Sequence, residues 1–66
     1  MKVQTIYEWD IVNDGQFQYI EGYREDSENL YETSNIIFKI PLKHSLLTIT
    51  ENESLYCLPY NHHASH

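Results

Sequence analysis

Cysteine is almost missing from this chain. Cys57 stands alone among 66 residues, so no disulfide can form within it, and the pattern is not that of a secreted disulfide scaffold. A reducing cytoplasm is the compartment this implies. Glycine is nearly as scarce: with only Gly15 and Gly22, neither the phosphate-binding loop nor the dinucleotide fingerprint can be written. Basic residues number four against ten carboxylates, a formal charge of −6, which repels phosphate backbones and anionic membrane surfaces. Long apolar runs are also lacking. Nothing approaches the roughly 20 residues that cross a bilayer, and Met1 to Thr5 has no signal-peptide stretch. Direct nucleic-acid binding, membrane insertion and export are not expected, so Asn52-Glu53-Ser54, which fits the glycosylation pattern, is read as a turn.

The length allows one compact domain, set at residues 1–60, followed by a flexible His-containing tail, 61–66. A chain this short buries only about 60% of the surface it exposes when unfolded, and is marginal without a metal, a disulfide or a partner.

What is present is mostly strand signal. Val3 to Val12 alternate, with Val3, Thr5, Tyr7, Trp9 and Ile11 on one face; period two with aromatic content means a strand. Asn13-Asp14-Gly15 follows, then a second alternating run to Arg24. A three-residue loop places Ile11 opposite Phe17, Trp9 opposite Tyr19 and Thr5 opposite Tyr23, uniting the apolar residues, whereas a two-residue Asp14-Gly15 loop scatters them. The first register is therefore expected. Glu25 to Asn35 is acidic and polar and reads as a loop or short helical turn. Ile36 to Ile40 reads as a largely buried strand ending at Pro41. Ser45 to Thr50 and Leu55 to Leu58 form a second hairpin. An Asn52-Glu53 loop sets Ile49 opposite Tyr56 and Leu47 opposite Leu58. A short amphipathic helix from Pro41 to Ile49 is the competing reading. The fold class is mainly β, with α+β as the alternative: a small antiparallel sheet or open barrel of about five strands built from two hairpins.

Chemistry-bearing constellations are few. Cys57, His62, His63 and His66 are zinc-type ligands within ten residues, but they sit on one strand end and a tail, without the paired spacing of a structural zinc site. A metal-dependent domain is kept as an alternative; no cofactor is expected. Cys57 has no framework to orient a base against it, and the carboxylates read as solvated surface, so the chain is expected not to be an enzyme.

The sharper feature is the acidic run Glu21, Glu25, Asp26, Glu28 and Glu32, opposed only by Arg24. It resembles a phosphate track in character, the property by which small acidic proteins of viruses and mobile elements occupy nucleic-acid channels. Six tyrosines add contact potential. Tyr7, Tyr19, Tyr23 and Tyr56 are assigned to the apolar faces, which leaves Tyr31 and Tyr60 for contacts. The expectation is a cytoplasmic protein-binding module that inhibits or modulates a larger, nucleic-acid-handling protein with a basic surface, a charge mimic of viral or mobile-element kind. Its contacts are Glu21, Glu25, Asp26, Glu28, Tyr31, Glu32 and Tyr60. The rival is a self-assembling module, a homodimer paired through an exposed strand edge.

Overall fold

A computed structural model of the chain describes residues 2–64. Its strands are β1 (Val3–Asp14), β2 (Phe17–Arg24), β3 (Tyr31–Glu32), β4 (Ile36–Pro41), β5 (Ser45–Thr50) and β6 (Leu55–Pro59), followed by a short 3-10 helix at Tyr60–His62. They form one mixed sheet in the order β3-β2-β1-β6-β5-β4, in which β1 and β6 run parallel and every other pair antiparallel. The fold is mainly β, as the alternation implies. The 25–35 stretch is a connection carrying the two residues of β3. The helical reading of Pro41 to Ile49 is overturned: β4 and β5 form a hairpin closed by the Leu42 N–H donating to the Ser45 carbonyl, 2.8 Å.

The segment between β3 and β4 curls the sheet. Thr33 exchanges hydrogen bonds with Ile20, donating its N–H to the carbonyl and accepting the Ile20 N–H on Oγ1, while Asn35 Oδ1 accepts the Gln18 N–H. Asn35 then turns its carbonyl to the Glu51 N–H at the far end of the sheet. One short run of chain thus ties the β2 side to the β5 side without closing a barrel.

Inside the curl lie Ile6, Trp9, Ile20, Tyr56 and Leu58, with Thr48 and Thr50 also fully enclosed. The polar side-chain atoms of these core residues are hydrogen-bonded, as burial requires, whereas the buried hydroxyl of Ser34, in the segment that curls the sheet, has no partner among the described residues. The Thr48 hydroxyl donates to the Tyr56 carbonyl, the Trp9 indole N–H donates to the Pro59 carbonyl at 2.6 Å, and the Tyr56 and Tyr31 hydroxyls share a hydrogen bond of 3.0 Å.

Both hairpins correct the expected registers. In the first, the loop is Gly15-Gln16: Asp14 pairs with Phe17, Val12 with Tyr19 and Ile11 with Ile20. Gly15 has φ +65°, the left-handed conformation that the first central position of a two-residue type II′ loop assigns to glycine. Further along, Tyr7 pairs with Tyr23 and Asp10 with Glu21, so Glu8 and Trp9 together oppose Gly22 in a β-bulge. Glu8 takes φ +49°, and the bulge reverses the alternation. Ile6 and Trp9 both face inward, while Tyr7 is left on the outer face.

In the second hairpin Ile49 pairs with Leu55, Thr48 with Tyr56, Leu47 with Cys57 and Leu46 with Leu58. The three-residue loop expected of the first hairpin occurs here instead, closed by the Glu53 N–H on the Thr50 carbonyl with Glu53 at φ +64°. Threonines therefore fill the interior positions, and Leu47 and Ile49 face outward. Two cross-strand rows of the outer face result, Val3–Leu55–Ile49–Phe38 and Thr5–Cys57–Leu47–Ile40, running from β1 to β4. The strand at Ile36–Pro41 is also not buried as expected. It is the edge of the sheet, and Ile37, Phe38 and Ile40 are exposed. That position explains Pro41, which cannot donate to a second neighbour.

Candidate binding surface

The outer face of β1, β2 and β3 gathers the acidic side chains. Glu21 pairs on one side with Asp10 and on the other with Glu32, so three carboxylates stand in one row across three strands. Like charges directly opposite each other destabilise a sheet, and this row contains two such pairs. Arg24, the cation nearest in sequence, is engaged elsewhere, its guanidinium lying 4.2 Å from the centre of the Tyr31 ring.

Tyrosines flank the row. Tyr19 lies two residues before Glu21 and Tyr23 two after, on the same side of β2, with Tyr7 paired to Tyr23. Desolvation, then a hydrogen bond to Glu32 and the charges of Glu32, Glu21 and Asp14, raise the pKa of Tyr19. Glu8, Asp10, Glu21 and Tyr23 on the sheet, Leu30 on the loop, and His62 and His63 beyond β6 line an open cleft of about 550 Å³.

The segment 60–64, assigned by sequence to the domain end and tail, packs along β1. The Ala64 N–H donates to the Trp9 carbonyl at 2.8 Å, His63 stacks on Trp9 with ring centres 4.4 Å apart, and His63 Nε2 lies 3.3 Å from Asp10 Oδ1. His62 meets Tyr7 edge-on at 5.0 Å. Both histidines thus form one wall of the acidic cleft.

Of the sequence-derived contacts, only Glu21 and Glu32 enter the row. Glu25 and Asp26 sit in a tight turn closed by the Ser27 N–H on the Arg24 carbonyl, with Asp26 at φ +63°, and Glu28 is exposed in the following loop. Tyr31 turns inward against the core. Tyr60 lies with Lys43, His44 and Asn61 in a second, separate depression. Sequence reasoning passed over Asp10, Glu8, Tyr7, Tyr19 and Tyr23. The overlooked signal was Gly22, since glycine inside a strand marks a bulge or a close approach of backbone.

The proposed metal ligands do not converge. Cys57 is central in β6 opposite Leu47 and Thr5, while His62 and His63 face Tyr7 and Trp9; His66 lies outside the described residues. No group of three or more His, Cys, Asp or Glu side chains among the described residues is arranged to hold a metal ion. No family model matches the chain, and no curated protein or solved structure matches it either.

Proposed function

We propose that the chain is a protein-binding module that takes a lysine- or arginine-bearing segment of a larger protein on the outer face of β1, β2 and β3. The observation that carries this reading is the row Asp10, Glu21 and Glu32. Placing carboxylates opposite one another costs the free domain stability, and a cationic partner relieves that repulsion. Tyr19 and Tyr23 supply contact area beside the charge, the residue type that dominates binding hot spots. Leu30 and the histidine wall give the cleft depth, so a side chain can enter it. A basic partner of this kind is typically one that handles nucleic acid, and the module then competes with phosphate for its surface.

The test is fluorescence titration with a Lys/Arg-rich peptide and with a Glu/Asp-rich control. Binding of the basic peptide alone is expected, falling steeply as salt rises. It should be lost in the combined variant Asp10→Asn, Glu21→Gln, Glu32→Gln. Equal binding of both peptides, or binding untouched by the triple substitution, overturns the reading.

A further inference from the structure

The outer surface of β4, β5, β6 and the start of β1 has the opposite chemistry. Its two rows contain no charged residue, and no carboxylate occurs anywhere from Thr33 to Thr50. Val3 at one rim is 50% exposed, and Phe38 and Ile40 at the other are 63% and 42% exposed. Leu47, Ile49, Leu55 and Cys57 between them are only partly shielded, by one another and by the strands on either side. A sheet that is apolar on both faces needs cover on both. The curl of the sheet covers the inner one only.

We propose that a second copy of the chain docks on this face, the two sheets packing about a two-fold axis. Three features select a second copy over other occupants. The rows are mostly apolar and carry no charge, so the same patch on two copies can meet without setting like charges together, as an isologous contact requires. Each copy carries a charge of −6, and this approach directs both acidic faces outward. An approach through β1, β2 and β3 sets carboxylate against carboxylate. The size also suits a reversible contact: the two rows offer eight residues, against about 20–30 a side in a standard interface. Sheets stacked face to face sit about 10 Å apart, which seats Ile49 and Leu47 of one copy among the same residues of the other.

This inference stands apart from the proposed basic-partner site, because the two surfaces share no residue and respond oppositely to salt. Sedimentation equilibrium of the full chain from about 1 µM to about 1 mM should show a monomer giving way to a dimer across that range. Raising salt to about 1 M should leave the association intact or strengthen it, since no charge pair holds it. Ile49→Lys should weaken it by roughly 30-fold or more, as loss of a buried interface anchor does, with an unchanged far-ultraviolet spectrum. Cys57 supplies a readout without substitution, because its alkylation by a maleimide should slow as the dimer forms. A monomer throughout the range overturns the proposal. So does a dimer that dissociates in high salt, or one in which Cys57 reacts as fast as in the monomer.

Discussion

Gly22 is where this fold is least tolerant of change. A Cβ built there would lie 2.5 Å from Ile6 Cγ2, 2.9 Å from the Tyr7 carbonyl oxygen and 3.0 Å from Trp9 Cα. Two of those neighbours are backbone atoms of the bulged strand, which cannot rotate away. Gly22→Ala is therefore expected to cost about 1–3 kcal/mol, the range for overpacking, read as a lower midpoint in urea unfolding. Tyr56 makes a different statement. Burial first, then its hydrogen bond with Tyr31, raise its pKa to about 12 from the ordinary 10. The unfolded chain loses this proton near pH 10 and the folded chain holds it longer. The associated stability is thus fully present below pH 10 and lost as pH rises toward about 12. It amounts to at most about 2–3 kcal/mol, less where solvent screens the ring hydroxyl. Urea midpoints measured between neutral pH and pH 12 should show this loss, and Tyr56→Phe should flatten it while lowering stability at neutral pH.

At the scale of elements, the two hairpins exchange the loops expected of them. Gly15 holds the positive-φ position in the first, whereas the positive-φ position that ends the three-residue loop of the second is held by Glu53, at φ +64°. Glu53→Gly is expected to stabilise the domain by up to about 1 kcal/mol, because a non-glycine residue pays to adopt that conformation. An unchanged or lower thermal midpoint would show that the Glu53 side chain contributes elsewhere. The segment after β6 acts on the core through Trp9, which is only 5% exposed under His63 and Ala64. Removing residues 62–66 is expected to shift the emission of this single tryptophan to longer wavelength as water reaches the ring.

Across the whole molecule, charge is divided between two surfaces. All ten carboxylates lie outside Thr33 to Thr50, a stretch that holds Lys39 and Lys43, two of the four basic residues. Self-repulsion among the carboxylates of the free domain is long-range and screened by salt. Raising ionic strength from about 0.01 M to about 0.15 M should therefore raise the thermal midpoint, while weakening capture of a basic peptide. Opposite responses of stability and binding to one variable would locate both effects in the same carboxylates.

The sequence by itself determined the two long strands of the first hairpin and the pair Ser45–Thr50 and Leu55–Leu58, because period-two alternation and β-branched content are local properties. It did not determine the two-residue β3, which lies in an acidic polar stretch with no such pattern. The regions in which the chain turns and its acidity were also determined by the sequence, but not the loop residues themselves. Only the tertiary structure decided which way the strands face. A shift of one residue sends every side chain of a strand to the other side, and in the second hairpin that shift buried Thr48 and Thr50 in place of Leu47 and Ile49. In β1 the bulge at Glu8 and Trp9 changes facing midway, so no single alternation describes the strand. Strand order was equally out of local reach, since the parallel pairing of β1 with β6 joins residues some 50 positions apart. The carboxylate row follows from the same long-range pairing: Asp10, Glu21 and Glu32 are eleven residues apart in turn, and only the sheet sets them side by side.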